Sequence, residues 1–226
     1  MFFQDRIDAA KKLASALEHY KAAPDTVILA IPRGSLEMGY QLSQDLNLPL
    51  DIVVTKKIPA PENEEYAIGA VAPDGEVMMS QEIISAYNVP SSYIEEAKKK
   101  LLEKMHERYE RYRREISQQD ESKIPSFKGK TVIIVDDGIA TGFTMKAAIH
   151  YLKREKVKKV VVAVPVSAPD SAQEIKSMVD ELICLDTPAF FGAVGQFYEN
   201  FPQVSDEEAA NFLKKAAEER EKSEKE

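Results

Sequence analysis

The chain has 226 residues, 44% hydrophobic and 30% charged, enough for one large α/β domain, or one domain with an inserted or appended cap, and unlike a disordered chain. A formal net charge of −8 argues against a general nucleic-acid or membrane-surface role but leaves room for a small anion held by a few local donors. Cys184 is the only cysteine, which excludes an internal disulfide and fits a reducing compartment.

Ile7, Ala10, Leu13, Ala14 and Leu17 recur at helical spacing and predict an amphipathic helix over 5–20. Asp5 and Arg6 interrupt this start before any apolar run, unlike a signal peptide, and no stretch reaches the roughly 18 apolar residues of a membrane span. A cytoplasmic protein is expected. Thr26–Ile31 and Asp51–Thr55 read as short strands covered on both faces, separated by a Pro-Arg-Gly-Ser turn and a helix over Leu36–Leu46. Residues 56–65, rich in proline and acid, read as loop. Tyr66–Ala72 and Glu76–Met79 flank Pro73-Asp74-Gly75 as a hairpin. A charged helix over 92–118 carries the stripe Ile94, Ala97, Leu101, Met105, Tyr109, Tyr112 and Ile116, and a polar linker spans Gln118–Gly129. Strand and helix then alternate: Thr131–Val135, a helix to about Lys156, Lys159–Val166, Ser171–Val179 and Glu181–Leu185. That rhythm predicts a parallel sheet of βαβ units. An aromatic, glycine-containing tail follows from Pro188 and ends in a Ser205-capped helix with frayed last turns, 218–226.

The segment most informative about chemistry is Val132-Ile133-Ile134-Val135-Asp136-Asp137-Gly138-Ile139-Ala140-Thr141-Gly142-Phe143-Thr144. A buried strand ends in two acids at the carboxyl edge, where open parallel sheets bind ligands. Gly138 and Gly142 permit close backbone approach, and Thr141 and Thr144 open a helix whose free N–H groups favour a phosphate. Two acids alone would suit an ordinary strand–turn–helix with a polar cap. The full run is more specific: it offers acceptors for hydroxyls and a cradle for a phosphate, as a sugar phosphate requires. Neither a Walker A loop nor a G-x-G-x-x-G dinucleotide turn is present.

This run resembles the signature by which the phosphoribosyltransferase superfamily binds 5-phosphoribosyl-1-pyrophosphate (PRPP). The resemblance implies an α/β fold: a parallel-sheet core over 21–187, interrupted by an insertion at 58–125 that carries the hairpin and long helix, with a C-terminal hood at 188–226. It implies that Asp136 and Asp137 are the catalytic acids and take the ribose hydroxyls, while Gly138, Ile139, Ala140, Thr141, Gly142 and Thr144 take the 5′-phosphate. Phe143 stands where the family usually has a small residue. Arg33, Gly34 and Ser35, with Lys56 and Lys57 after the second strand, match the family's pyrophosphate-binding elements. Tyr66, Phe190, Phe191, Phe197 and Tyr198 are candidates to stack on an acceptor base, core packing being the alternative.

Pro-Arg-Gly near the start, Glu65–Val71 and Phe191–Tyr198 are further similar to a bacterial and archaeal branch of the superfamily that has no assigned acceptor. The expected activity is transfer of the phosphoribosyl group from PRPP to a nitrogenous base, with Mg²⁺ arriving on PRPP rather than in a protein cage. Expected partners are those two substrates and a second copy of the chain as a homo-oligomer, with no nucleic acid or membrane. A PRPP-binding regulator without turnover is the alternative, and a hydrolase using Asp136 as nucleophile a third reading. His19, His106 and His150 have no metal-ligand spacing.

Overall fold

The computed structural model describes residues 1–61, 63–116 and 127–223, without the side chains of residues 64, 65, 81, 86, 115, 116 and 223. Helix α1 (Arg6–Ala16) and a 3₁₀ turn at Glu18–Tyr20 lead into β1 (Thr26–Ala30), α2 (Ser35–Leu46) and β2 (Leu50–Ile52). A second unit follows: β3 (Lys56–Ala60), β4 (Asn63–Val71), β5 (Val77–Met79), α3 (Gln81–Ala86) and α4 (Ser91–Ile116). The chain then runs through β6 (Thr131–Val135), α5 (Phe143–Arg154), β7 (Lys159–Val166), α6 (Pro169–Met178) and β8 (Glu181–Asp186) to α7 (Asp206–Ser223).

Five strands form one parallel sheet in the order β2-β1-β6-β7-β8. Its strands are apolar on both faces because each face carries a helical layer. Ile28, Ala30, Ile133, Val135, Val161 and Ala163 pack under α1, α2 and α7, against Leu13, Leu36, Leu42 and Leu213. The intervening Val27, Leu29, Val132, Ile134, Val160, Val162 and Val164 pack against Met145, Ile149 and Leu152 of α5 and Ile175 of α6. The connection from β1 to β2 leaves to one side of β1, and β6 joins on the other. The carboxyl ends of β1 and β6 therefore border the crevice where such sheets hold ligands.

The structure corrects several expectations. Residues 56–60 are a strand, not a loop: β3 pairs antiparallel with β4, which pairs with β5, in a separate three-stranded sheet. Pro59 is tolerated because the register shifts around it. Phe143 is buried against Ala67, Ala70, Ala72 and Ala147, so its ring joins this sheet to α5. The stripe of α4 packs as expected through Met105 and Tyr112, whereas the side chain of Ile116 and most of the expected linker, 117–126, lie outside the described residues. Residues 188–223, expected as a hood, are woven into the main layers. Phe3 N–H donates to Phe197 O at 2.8 Å, Glu199 N–H to Phe3 O at 2.9 Å, and Ala209, Ala210 and Leu213 join the core beside α2. Helix α7 stays helical to Ser223 rather than fraying at 218, with Tyr40 Oη 2.9 Å from a Glu219 carboxylate oxygen; 224–226 lie outside the described residues.

Candidate active site

The two sequence motifs meet. Ile31, Pro32, Arg33 and Gly34 after β1, Thr55 and Lys57 after β2, Asp136–Gly142 after β6, Thr144 and Met145 of α5, and Val194 line one cleft of about 260 Å³. Ile31 N–H donates to Val135 O at 3.2 Å, so the β1 and β6 loops leave the sheet side by side.

Asp136 and Asp137 are recessed together. Asp136 Oδ1 accepts the Asp137 backbone N–H at 2.9 Å. Burial, and then the neighbouring Asp137 charge, pushes the Asp136 carboxyl well above the usual carboxylate range, with Lys57 pulling it back. Burial also raises Asp137, opposed by Arg6. Arg6 Nε donates to Asp137 Oδ2 at 3.1 Å, Arg6 Nη1 to Pro202 O at 2.8 Å, and its guanidinium lies 4.0 Å from the centre of the Phe201 ring. Tyr198 Oη donates to Asp137 O at 2.6 Å. Asp137 is thus held from the N-terminal helix and from the tail at once.

Glycine is needed where these parts converge. A Cβ at Gly34 would sit 2.5 Å from Asp137 Oδ2 and 2.8 Å from Arg6 Nε; one at Gly138 would meet Val194 Cγ1 at 2.6 Å. Gly142 caps α5 with φ of 72°, a left-handed conformation suited to glycine. The loop between is held by Ile139 N–H to Val166 O at 2.9 Å and Ser171 Oγ to Ala140 O at 2.6 Å. The N–H groups at the start of α5, without partners among the described residues, lie where Thr141, Gly142 and Thr144 line the cleft.

Other predicted site residues are distributed differently. Ser35 is buried with its hydroxyl bonded to Ile31 O, which leaves only its backbone for the cleft. Lys56 and Lys57 part, because successive strand residues point to opposite faces: Lys57 lines the cleft, and Lys56 lines a separate recess with Arg108 and Asp206. None of the five candidate aromatics is among the cleft-lining residues. Tyr198 is a buried support for Asp137; Phe191 and Phe197 pack on each other with centroids 5.2 Å apart; Tyr66 packs on Tyr87 at 5.7 Å; Phe190 is exposed. Phe197 and Tyr198 are drawn into packing because the tail is tied to the N-terminus through Phe3.

Sequence reasoning missed Arg6 and Thr55. Arg6 shares the buried face of α1 with Ala9, Ala10 and Leu13, while Ile7 is only half-buried. A charged residue in an apolar stripe, i, i+3, i+4, i+7, is the available signal. Thr55 Oγ1 is buried and, among the described residues, has no hydrogen-bond partner; nothing in the pattern of the strand marks it.

A family model described as "Phosphoribosyl transferase domain" matches residues 3–201. Two proteins of Mycobacterium tuberculosis, provisionally named phosphoribosyl transferases, are each 36% identical over 214 residues, covering 95% of this chain and 47% of theirs. The chain thus spans about half the length of the curated relatives it matches. The crystal structure of TT1426 from Thermus thermophilus is 35% identical with a TM-score of 0.77, over 96% of this chain and 100% of that one. With a family model over most of its length and these relatives, and with the acid pair, the Gly142-capped loop and the Pro-Arg-Gly turn gathered at one crevice, this chain belongs to the phosphoribosyl transferase domain family.

Proposed function

We propose that the protein is an enzyme that transfers the 5-phosphoribosyl group from PRPP to a nitrogenous base and releases pyrophosphate. The observation that carries this reading is the convergence in one cleft of a carboxylate pair, the open N-terminus of α5 and the basic wall of Arg33 and Lys57. The 5′-phosphate sits on the amides of 139–144. The ribose hydroxyls donate to Asp136 and Asp137, the second of which Arg6 and Tyr198 hold in position. Arg33, Lys57 and the amides of the Arg33–Ser35 turn face the diphosphate. The acceptor nitrogen gives its lone pair to C1 as the C1–O bond breaks, and that electron pair leaves with pyrophosphate. Catalysis is then chiefly positioning and neutralisation of charge on the leaving group.

Among the described residues, no group of three or more His, Cys, Asp or Glu side chains converges to hold a metal ion. Two recessed carboxylates suit a hard cation that keeps phosphate oxygens and waters as its other ligands. Mg²⁺ bound with PRPP would supply further neutralisation of the diphosphate, and Asp136 and Asp137 are the carboxylates of the cleft that would meet it. The test is pyrophosphate release from PRPP with Mg²⁺ over a panel of purines and pyrimidines. Turnover supports the transferase. PRPP binding without turnover on any base points to a regulator, and phosphate release with a covalent acyl-phosphate at Asp136 to a hydrolase.

A further inference from the structure

Thr55 is a polar residue of the cleft that has no role in the reading above. It is only 6% exposed, it lines the cleft, and its Oγ1 has no hydrogen-bond partner among the described residues. No other buried side-chain oxygen or nitrogen of those residues is left in that condition. Buried hydroxyls are ordinarily bonded, because desolvation without a partner is unfavourable. Ser35, on the far side of the same Pro-Arg-Gly turn, follows the rule: its buried hydroxyl donates to Ile31 O.

The sheet fixes what Thr55 can meet. Strand β1 lies between β2 and β6, Ala30 is paired with Ile52, and Val53 N–H donates to Ala30 O at 3.0 Å. Thr55 therefore reaches the cleft beside the Pro32–Arg33 turn, on the side of β1 away from Asp136 and Asp137. The extended chain alternates as it leaves the sheet. Val54 lines an apolar cavity with Tyr109 and Tyr151, Thr55 lines the cleft, Lys56 the recess with Arg108, and Lys57 the cleft again. Thr55 and Lys57 thus share a face, about 7 Å apart along the chain. A ligand group that meets Lys57 and Arg33 lies against Thr55.

Threonine carries its hydroxyl and its methyl on one carbon, so rotation about the Cα–Cβ bond exchanges them with little change of shape. A hydroxyl with no bond inside the protein gives up nothing when it turns toward a ligand. We propose that Thr55 is a diphosphate-binding residue, whose hydroxyl donates to a diphosphate oxygen of PRPP beside Lys57 and Arg33. The inference rests on the transferase reading above. It adds a neutral side-chain donor to a subsite described so far by its charges and its turn amides.

The experiment is calorimetry with Mg²⁺, titrating PRPP, pyrophosphate and ribose 5-phosphate separately into the unaltered protein, Thr55→Val and Thr55→Ser. Valine keeps the shape and removes the donor; serine keeps the donor. Thr55→Val should bind PRPP and pyrophosphate about tenfold or more weakly, since the lost bond is to a charged acceptor. Ribose 5-phosphate should shift by less than about threefold, and Thr55→Ser should restore the other two to within the same margin. Unchanged affinity for PRPP and pyrophosphate in Thr55→Val overturns the inference. Equal weakening of all three ligands also overturns it, since the residue would then shape the cleft rather than meet the diphosphate. So does a serine variant as weak as the valine one. Where pyrophosphate alone gives no heat, PRPP against ribose 5-phosphate decides by the same criterion; where ribose 5-phosphate gives none, pyrophosphate decides. Thermal melts establish that each variant is folded, and Thr55→Ala replaces Thr55→Val if that one is not. Absence of heat from PRPP with the unaltered protein sinks the transferase reading itself, whereas failure confined to the variants sinks this inference alone.

Discussion

Two carboxyl groups in one recess are costly to ionise together, and Asp136 and Asp137 are separated by what surrounds them. Asp137 has the Arg6 guanidinium; Asp136 has only a backbone N–H and the pull of Lys57. A carboxyl whose pKa rises on folding stabilises the protein at pH below the ordinary carboxylate value, and that contribution is lost as pH rises through the elevated value. Asp136→Asn should therefore raise the Tm at neutral pH, by about 2–4 °C for each kcal/mol relieved, with the gain vanishing below about pH 4. The same variant should bind PRPP at least tenfold more weakly, because the amide cannot match a charged acceptor for the ribose hydroxyls. Thermal melts across pH, paired with calorimetry, check both halves.

Gly34 tests the packing of this pair. Alanine there would collide with Asp137 Oδ2 and Arg6 Nε, so Gly34→Ala should cost about 1–3 kcal/mol by overpacking and weaken PRPP binding with it. Denaturant unfolding reads the first effect. Thr55→Val should do the reverse in stability: it removes a buried hydroxyl without a protein partner among the described residues and should be neutral or stabilising by about 1 kcal/mol. It should lose PRPP affinity if the ligand takes that hydroxyl.

Among the elements, α4 is tied to the sheet edge by charge as well as by its apolar stripe. Arg113 Nη2 donates to both Asp51 oxygens, at 2.6 and 2.8 Å, with both side chains buried. Removing one partner leaves the other buried and unpaired, so Arg113→Met should cost about 3–5 kcal/mol, and Arg113→Met with Asp51→Leu distinctly less. A double-mutant cycle by urea unfolding gives the coupling.

Neither this pair nor the first strand of the antiparallel sheet was legible beforehand, and for one reason: both depend on partners distant in the chain. The strands of the parallel sheet announce themselves as unbroken apolar runs because both faces are covered, and Lys159–Val166 is found with its predicted ends. The β3 strand, Lys-Lys-Ile-Pro-Ala, opens on two charged residues and carries a proline, so its local pattern is that of a loop; pairing with β4 overrides it. The loop of 136–144 was legible as one unit because its residues are contiguous, and all but Phe143 line one cleft. Arg6 and Tyr198 act across 131 and 61 residues, and only the fold brings such pairs together. The aromatic residues were not separable in sequence, because a ring that packs and a ring that stacks on a substrate look alike there; Tyr198 is buried, whereas Phe190 is exposed.

At the scale of the whole molecule, the order β2-β1-β6-β7-β8 decides where chemistry can occur, since only β1 and β6 send their following helices to opposite sides of a shared crevice. The N-terminal helix and the tail then close on that crevice from behind, through Arg6, Tyr198 and the Phe3–Tyr198 bridge. The phosphoribosyl transferase domain family is thereby shown by fold and sequence together, and the proposed reaction depends on whether the crevice grips PRPP. Isothermal calorimetry with PRPP and Mg²⁺ tests this most directly. The account predicts saturable heat at a single site for the unaltered protein, and none for Asp136→Ala with Asp137→Ala when that variant retains a cooperative melt. Equal heat from both proteins, or none from the unaltered one, would contradict it.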